Sequence, residues 1–404
     1  MKIALFHNLP SGGAKRAVFE WTQRLAQRHT IDLFTMQSAD HSFCDIGPFI
    51  NDTYDWSFVP RRLFDSPLGR LNQLQRWRDL GDLDQIHCRM AQKLDAGGYD
   101  VIFAHTCQIT FLPLLLAYVQ TPSVYYLHEP FGRSLWAHVP RPYSDQRQGI
   151  RAKLNQIDPL IQMHDQRLAA LRQRSLHRTS RLLANSRFTA QKMSEWYSAS
   201  TDYSPYGVNS ADFYPLDLAS PPETPRQTVI SVGEMSRRKG FDFLIESIGR
   251  LPAENRPILW LVNNWRDPQE YGYLVELANA HNVTLRLDQN MNSAQLREAY
   301  NEADLCVYTP VNEPLGLVAL EAMACGRAVV GVAEGGVAET VVDGVTGRLT
   351  PRNAPQFAEA LAGLLADSAE RTRLGQNARN YVLDEWSWEQ STTMIERHLE
   401  AVAC

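Results

Sequence analysis

The feature that most constrains the fold is a strand, a loop and a helix that follow one another between residues 304 and 326. An apolar run typical of a buried strand occupies residues 304–309, and the loop Val-Asn-Glu-Pro-Leu-Gly follows it. A strongly helical stretch covers residues 317–325, and Gly326 stands where helices commonly end. In open α/β sheets, ligands bind in the crevice beyond the carboxyl ends of the strands. We therefore expect an α/β fold with a ligand site at this loop.

Two glutamates of this segment are candidate ligand-binding residues. Glu313 lies in the loop, and Glu321 lies about a turn and a half into the helix. The two carboxyl groups of a retaining glycosidase are only about 5 Å apart. A helical rise of eight residues separates Glu313 from Glu321 by roughly 12 Å. We therefore expect them to contact opposite ends of one ligand rather than to share an acid/base reaction.

Length and composition predict a packed globular protein. The chain has 404 residues, which suits two domains, and 44% of its residues are hydrophobic while 21% are charged. A net charge of −5 argues against a nucleic-acid-binding protein. No apolar run reaches the roughly 20 residues of a membrane span, and the N-terminus resembles a strand rather than a signal peptide. The six cysteines show no paired spacing, so we expect a cytoplasmic protein.

The start of the chain offers a second candidate binding element. Residues 2–7 are predicted to form a parallel strand, residues 8–13 a turn and residues 14–27 a helix. Gly12 and Gly13 allow close approach of a ligand, and the helix start offers unpaired N–H groups to an anion. A tight turn that binds nothing is the alternative. The turn lacks the Gly-x-Gly-x-x-Gly pattern of dinucleotide-binding sites.

Several further elements follow from local pattern. Ser186 is predicted to cap a helix over residues 187–197. Residues 40–62 show no clean period and are predicted to form a loop-rich insertion. Two histidines, His105 and His128, end predicted strands at the edge where sites form, and we expect His105 to be hydrogen-bonded within the fold.

A longer set of motifs carries a family resemblance. The strings are Glu-Pro-Leu-Gly-Leu, Leu-Glu-Ala-Met-Ala-Cys-Gly, Gly-Gly-Val-Ala-Glu from residue 335 and Gly-Val-Thr-Gly from residue 344. Together they resemble the donor-binding motif of retaining GT-B glycosyltransferases, family 4. The resemblance implies two Rossmann-like domains that face each other across a cleft, with a C-terminal helix crossing back to the first domain. The expected boundaries are 1–208 for an acceptor domain, 209–381 for a donor domain and 382–404 for that helix.

The resemblance also implies roles for individual residues. Glu313 contacts the hydroxyls of the donor sugar, Glu321 accepts hydrogen bonds from the ribose, and His128 contacts the sugar and its neighbouring phosphate. The first-domain turn faces the cleft through Gly13, with Gly12 and Arg16 as further candidates. The donor-binding loop contributes Pro314, Leu315, Gly316 and Leu317.

The expected diphosphate-binding loop departs from the family pattern. The family usually has Gly-Arg, four variable residues and Lys-Gly, and here residues 233–240 are Gly-Glu-Met-Ser-Arg-Arg-Lys-Gly. Lys239 matches the lysine that stabilises the leaving diphosphate, whereas Glu234 replaces the arginine. We expect Glu234 to turn away and either Arg237 or Arg238 to supply the missing charge. Gly233 and Asn263, which follow neighbouring strands, are further candidates.

An arginine-rich stretch follows the predicted His128 strand. Residues 133–181 contain three acidic residues and the ten basic residues Arg133, Arg141, Arg147, Arg151, Lys153, Arg167, Arg172, Arg174, Arg178 and Arg181. Solvated helix faces are one interpretation. A patch that contacts an acceptor or the inner face of a membrane is the other, since basic amphipathic segments attract anionic lipid headgroups.

The activity implied by the resemblance is retaining transfer of a sugar from a nucleotide diphosphosugar. A UDP-sugar is the first expectation for the donor and GDP-mannose the second, with a glycan, lipid-linked or small-molecule acceptor. No metal or other cofactor is expected. Asp82 and Asp84 have the spacing of a metal-binding Asp-x-Asp, but on a helix they point about 200° apart. A nucleotide-sugar epimerase, a phosphorylase and a non-catalytic nucleotide-sugar-binding protein are the alternatives.

Overall fold

Two parallel β-sheets organise the chain, one in each half. The computed structural model describes residues 1–64, 72–130, 139–143, 158–217 and 226–403. Within these ranges the first sheet has seven strands and the second has six. Every pair of neighbouring strands is parallel. Helices connect the strands, as parallel pairing requires.

The first sheet has the strand order β3-β2-β1-β4-β5-β6-β7. Its strands are β1 (Lys2–Asn8), β2 (Thr30–Met36), β3 (Thr53–Trp56), β4 (Val101–Cys107), β5 (Ser123–Leu127), β6 (Arg181–Ala184) and β7 (Asp202–Tyr203). Its α-helices are α1 (Gly13–Leu25), α2 (Asn72–Asp95), α3 (Pro159–Arg178) and α4 (Arg187–Tyr197). The central strands are buried along almost their whole length, which explains their continuous apolar sequences.

The second sheet has the order β10-β9-β8-β11-β12-β13. Its strands are β8 (Thr228–Val232), β9 (Ile258–Asn263), β10 (Leu285–Gln289), β11 (Leu305–Tyr308), β12 (Val329–Val332) and β13 (Gly347–Thr350). The helices of this half are α5 (Phe241–Gly249), α6 (Pro268–Ala280), α7 (Ser293–Glu302), α8 (Leu317–Ala324), α9 (Val337–Thr340), α10 (Ala354–Ala366), α11 (Ser368–Glu385) and α12 (Trp388–Glu400). The α/β expectation is confirmed, and each half is Rossmann-like.

Both sheets reverse their strand order at a central pair, and these pairs position the site. The reversal lies between β1 and β4 in the first sheet and between β8 and β11 in the second. Such a switch point opens a crevice at the carboxyl ends of the strands. Gly12 and Gly13 follow β1, Gly233 follows β8, and the loop with Glu313 follows β11. The motifs singled out in the sequence therefore lie at the switch points.

The C-terminal helix crosses back to the first domain, as expected. The indole N–H of Trp21 on α1 donates to the hydroxyl of Ser391 on α12 at 2.9 Å. That hydroxyl in turn donates to the carbonyl of Pro205 at 2.6 Å. Arg24 forms an ion pair of 2.8 Å with Glu389. Packing of α12 against α1 thus ties the end of the chain to its beginning.

Local predictions agree with the structure in most places and fail in one. Ser186 caps α4 by accepting from the N–H of Thr189. Asp82 forms an ion pair with Arg61 at 2.7 Å, so it is an engaged surface charge. The segment 40–62 is not only a loop, because it contains the edge strand β3. Within the described residues no three His, Cys, Asp or Glu side chains are grouped as a metal site.

The structure describes only part of the arginine-rich stretch. One residue that the sequence analysis grouped with it, Arg141, is buried. Arg133, Arg147, Arg151 and Lys153 lie outside the described residues. Arg141 is not part of a solvated patch, because its side chain is 1% exposed and pairs with Glu270 and Asp242 of the other half. On α3, Arg167 lies 3.6 Å from Asp84, and Arg172 donates to the carbonyl of Thr110. Some of these arginines therefore make contacts within the protein instead of forming a solvated patch.

Membrane insertion by a helix finds no support in the part of the chain that is described. None of the helices there is both long enough and apolar enough to cross a bilayer. The cysteine thiols of that part are free, with Cys107, Cys306 and Cys325 buried in the two halves.

A histidine buried without partners makes stability depend on pH. His87 on α2 lies beside Phe6, and neither of its ring nitrogens has a hydrogen-bond partner among the described residues. Burial lowers the pKa of His87 from 6.5 to about 4, so the folded state holds the neutral ring. Above pH 6.5 the ring is neutral in both states, and below it the unfolded chain takes up the proton first. We expect this group to remove about 3 kcal/mol from the free energy of unfolding between pH 6.5 and pH 4.

Urea unfolding from pH 7 to pH 4 measures this effect. His87→Leu should flatten the pH dependence over that range, because an apolar side chain has no proton to gain. His177→Leu is the matched control, since His177 is an exposed residue of α3, and it should keep the wild-type dependence. Identical pH profiles for His87→Leu and the wild type would contradict the assignment.

Candidate active site

The loop after β11 is shaped by glycines that pack against it. Gly316 begins α8 with φ +104°, a left-handed conformation that favours glycine. The N–H of Gly336 donates to the carbonyl of Glu313 at 2.7 Å. A Cβ at Gly336 would lie 2.3 Å from the carbonyl oxygen of Pro314. The pair Gly335 and Gly336 thus packs against the loop and restricts the backbone of residues 313–316.

The two residues expected to act on the sugar and the diphosphate meet directly. Nζ of Lys239 lies 2.9 Å from Oε2 of Glu313, and the side chains are 15% and 22% exposed. Gly240 has φ +65°, and a Cβ there would lie 2.2 Å from the carbonyl oxygen of Thr309. The loop after β8 can therefore approach the end of β11 only with glycine at this position. That approach brings Lys239 to Glu313.

Glu234 is paired within its own loop. Its Oε1 accepts from Nη2 of Arg238 at 2.9 Å and from the hydroxyl of Ser236 at 2.9 Å. Burial favours the neutral acid, but Arg238 outweighs burial and holds the pKa of Glu234 below its usual value. The same guanidinium lies 3.9 Å from Glu129 of the first domain. Arg238 therefore sits between two carboxylates, one from each half.

Glu321 is occupied by residues of both domains. Its Oε1 accepts from Nη1 of Arg16 at 2.6 Å, and its Oε2 accepts from the hydroxyl of Tyr300 at 3.1 Å. The charge of Glu321 raises the pKa of Arg16. A Cβ at Gly13 would lie 3.0 Å from Leu317, so the first-domain turn rests against the start of α8. The structure thus brings both glycine turns and both glutamates to one crevice.

His128 lies in the wall of the crevice with both ring nitrogens engaged. Its Nδ1 shares a hydrogen bond with the hydroxyl of Tyr206, and its Nε2 lies 3.1 Å from Nδ1 of His105. Burial lowers the pKa of His128 to about 3, so the ring is neutral. His105 is only half satisfied, because its Nε2 has no partner among the described residues. In this conformation the Tyr206–His128–His105 chain leaves neither nitrogen of His128 free for a ligand.

Two candidate residues point elsewhere. The guanidinium of Arg237 lies 5.9 Å from the ring of Tyr143. The backbone carbonyl of Arg237 accepts a hydrogen bond from Arg141. Asn263 is 2% exposed, and its side-chain oxygen accepts from Arg266 and Gln289. The structure does not join either side chain to the cluster around Lys239 and Glu313. Of the two arginines proposed for the diphosphate, Arg238 is the one that lies in this cluster.

Three residues of the crevice were not predicted from the sequence. Glu129 directly follows His128, and this adjacency is a signal that could have pointed to it. Burial raises the pKa of its carboxyl. Tyr206 and Tyr300 carry no local signal, since their partners His128 and Glu321 are distant in the chain.

Two known family models match the two halves of the chain that the structure shows. Residues 11–209 match the model described as Glycosyltransferase Family 4, and residues 218–381 match Glycosyl transferases group 1. The two matches meet between the two sheets and contain both glycine turns and both glutamates. The chain belongs to the GT-B glycosyltransferases of family 4. The sequence resemblance is therefore confirmed at the level of the family.

Among curated relatives of this GT-B glycosyltransferase are enzymes that act on different substrates. Alpha-maltose-1-phosphate synthase of Mycobacterium tuberculosis is 31% identical over 204 residues, which is 45% of this chain and 52% of the relative. D-inositol 3-phosphate glycosyltransferase of Salinispora arenicola is 38% identical over 135 residues, or 32% of this chain and 30% of the relative. The chain spans about half the length of the curated relatives it matches.

Solved structures share the fold over the whole chain. Sucrose-phosphate synthase from Thermosynechococcus elongatus has a TM-score of 0.72 at 23% identity, covering 99% of this chain and 98% of that one. Anabaena HepE in complex with UDP and glucose has a TM-score of 0.71 at 19% identity, covering 99% and 100%. The GT-B architecture of two Rossmann-like domains across a cleft is thus established for this glycosyltransferase.

Proposed function

We propose that the protein transfers a hexose from a nucleotide diphosphosugar to an acceptor with retention at the anomeric carbon. The observation that carries this proposal is the pairing of Lys239 with Glu313 at the carboxyl ends of β8 and β11. A cation and an acidic hydrogen-bond acceptor side by side suit a ligand that has an anionic diphosphate next to a polyhydroxylated sugar. Residues 1–208 are proposed to bind the acceptor and residues 209–381 the donor.

The ion pairs of the crevice indicate how the donor is accommodated. Lys239 and Arg238 are paired with Glu313 and Glu234, and Arg16 is paired with Glu321. The donor diphosphate takes the place of the carboxylates as partner of Lys239 and Arg238. The released carboxylates then accept hydrogen bonds from hydroxyls, Glu313 from the sugar and Glu321 from the ribose. Binding thus exchanges internal ion pairs for pairs with the donor.

The chemical step depends on stabilising the departing diphosphate. The bond between the anomeric carbon and the phosphate oxygen breaks, and negative charge develops on that oxygen. The acceptor hydroxyl oxygen bonds to the anomeric carbon, and its proton passes to the departing diphosphate. Lys239 and Arg238 lie where they can neutralise this charge. The first turn of α8, which has no side-chain cap, adds unpaired N–H groups. We propose that these groups perform this role without a metal or other cofactor.

A UDP-sugar is proposed as the donor, with GDP-mannose as the second candidate. Support comes from Anabaena HepE, which has been solved with UDP and with UDP-glucose. The fold that it shares with this chain supports a nucleotide-sugar donor of the same class. A screen of nucleotide diphosphosugars by thermal unfolding tests the donor. A donor at 100 times its Kd should add about 2.7 kcal/mol to the free energy of unfolding.

Glu321→Gln is expected to remove about half of that stabilisation or more. The amide keeps the shape of the side chain but loses the negative charge that accepts ribose hydroxyl hydrogen bonds, and charged hydrogen bonds are worth about 1.5–3 kcal/mol. Glu359→Gln is the control, because Glu359 is exposed on α10. The variant should lose tenfold or more in donor affinity while the control matches the wild type. Equal affinities would overturn the ribose role.

Three alternative activities are separated by one product assay. An epimerase converts the sugar and releases nucleotide without an acceptor, and a phosphorylase requires inorganic phosphate. A non-catalytic binding protein is stabilised by a donor but consumes none with any acceptor. Incubation of a stabilising donor with a panel of glycan, lipid-linked and small-molecule acceptors distinguishes these cases. Transfer is rejected if no acceptor on a broad panel increases donor consumption.

We propose a cytoplasmic protein that associates peripherally with the inner face of the membrane. Free thiols at Cys306 and Cys325 fit a reducing compartment. Several arginines of α3 remain partly exposed, among them Arg167 and Arg174, and arginines near a surface attract anionic headgroups. Cosedimentation should recover more protein with phosphatidylglycerol vesicles than with phosphatidylcholine vesicles at low salt. Equal recovery with both would contradict the membrane proposal.

A further inference from the structure

A second basic cavity lies at the amino ends of strands in the donor-domain sheet, whereas the crevice lies at the carboxyl ends. It has a volume of about 540 Å³, within the range typical of small-molecule sites. Its floor is formed where β11 and β12 begin, at Asp304 and Ala328. The crevice described above lies where β8 and β11 end. The cavity is therefore separate from the donor site.

The cavity wall carries an excess of positive charge. Its charged lining residues are Arg327, Arg371 and Arg379 together with one acid, Asp304. Asp304 accepts the backbone N–H of Thr228 at 2.8 Å and lies 3.6 Å from Arg371. Three arginines and one aspartate leave two positive charges without a carboxylate among the lining residues. An anion of charge two would balance this wall.

Two of the arginines, Arg327 and Arg379, form no ion pair with a carboxylate among the described residues. Arg379 donates to the backbone carbonyls of Phe213 and Ala324 at 2.9 and 2.7 Å. Nε of Arg327 is buried and has no hydrogen-bond partner in the part of the chain described here. Burial lowers the pKa of both guanidinium groups. Both side chains are only partly exposed, and an anion gains more from a partly desolvated cation than from an exposed arginine.

A structural role alone accounts for only part of this arrangement. Arg379 caps the carboxyl end of α8, and Arg371 caps that of α10 through the carbonyls of Leu364 and Leu365. Among the described residues the Arg327 guanidinium caps no helix, and its hydrogen bond to the side-chain oxygen of Asn301 is a long one of 3.5 Å. A partly buried guanidinium that lines a cavity is suited to bidentate contact with phosphate.

We propose that this cavity binds the phosphate group of a small molecule, as a site distinct from the donor crevice. Inorganic phosphate and a sugar monophosphate share the dianion that the wall requires. The volume leaves room for a sugar-sized group beyond the phosphate. The cavity reaches α8 at Cys325, one turn beyond Glu321, so the bound phosphate lies at the far end of the helix that carries the ribose-binding candidate.

Isothermal titration at constant ionic strength tests the proposal with inorganic phosphate, glucose 6-phosphate and glucose as probes. Both phosphates should bind, and glucose should not; tighter binding of glucose 6-phosphate identifies a sugar monophosphate as the ligand, and equal binding identifies free phosphate. Arg327→Gln should weaken phosphate binding by about tenfold. Arg256→Gln is the control, because Arg256 belongs to the same domain and donates to backbone carbonyls outside the cavity.

Lys239→Met separates this site from the donor crevice. Phosphate binding that persists in Lys239→Met and weakens in Arg327→Gln supports the cavity. Loss in Lys239→Met with retention in Arg327→Gln places the phosphate in the crevice and overturns the proposal, as does an absence of phosphate binding to the wild type. Because the readout is phosphate binding rather than transfer, failure here leaves the proposed glycosyl transfer unaffected, and failure of transfer leaves the cavity unaffected.

Discussion

Replacement of Lys239 by methionine is expected to lower kcat for sugar transfer by about 10²- to 10³-fold, the typical loss when a group that stabilises developing negative charge is removed. Methionine keeps the length of the side chain and its packing beside Gly233, where the lysine stem lies 3.3 Å from the position of a Cβ. The loop therefore keeps its shape while the charge is lost. The measurement is steady-state transfer with the donor that stabilises the wild type.

Arg237→Met serves as a control within the same loop. Arg237 has the same charge as its neighbour Arg238 but faces Tyr143, so its loss should change kcat by no more than about threefold. Arg238→Met should resemble Lys239→Met, because Arg238 lies between Glu129 and Glu234 in the crevice. Equal losses of kcat in Arg237→Met and Arg238→Met would contradict this assignment. They would mean that the whole loop, rather than one residue, supplies the positive charge of the family arginine that Glu234 replaces.

Elements set by short-range chemistry were predictable from the sequence. The helix over residues 187–197 begins after Ser186, whose hydroxyl accepts from an N–H three residues along. The helix α8 ends before Gly326, which has φ +71°. In both cases the residue that ends or begins the helix acts within a few positions of itself. Such interactions are readable without knowledge of the rest of the fold.

The strand β3 was missed because little of it is buried. Residues 53–56 alternate between exposed and half-buried positions, and β3 pairs with β2 alone at the edge of the sheet. An edge strand has neither the continuous apolar run of a central parallel strand nor a clean buried face. Its formation depends on β2 being in place, which the local sequence does not reveal.

The site residues were predictable as a set, but their partners were not. The motifs place Glu313 and Lys239 in loops that follow strands and Glu321 in the helix after one of them, and the strand order brings these segments together. Arg16 reaches Glu321 across 305 positions of the chain. Nothing local to either residue indicates that they pair. The same limit explains why Arg141 was counted with a surface patch, although its partner Glu270 is 129 positions away.

Replacement of Arg141 by methionine is expected to lower the free energy of unfolding by about 3–5 kcal/mol, the usual result of removing one partner of a buried ion pair. Nε and Nη2 of Arg141 donate to the two oxygens of Glu270 at 2.9 and 2.8 Å, and Nη1 donates to Asp242 at 2.7 Å. The side chains of Arg141 and Glu270 are each 1% exposed. Methionine fills similar space but leaves the carboxylate of Glu270 buried with the hydroxyl of Tyr143 as its remaining side-chain partner in the described region.

Two further variants show whether the loss comes from the stranded charge. Arg141→Met combined with Glu270→Leu removes both charges and should recover most of the stability, since well-packed apolar pairs often replace buried ion pairs at little cost. Arg187→Met removes another arginine that spans the two domains, but its side chain is 74% exposed and lies 3.9 Å from Glu339, so the loss should stay below about 1 kcal/mol. Urea unfolding followed by tryptophan fluorescence measures all three. Equal losses of unfolding free energy for Arg141→Met and Arg187→Met would mean that residues 139–143 do not stabilise the contact between the two domains.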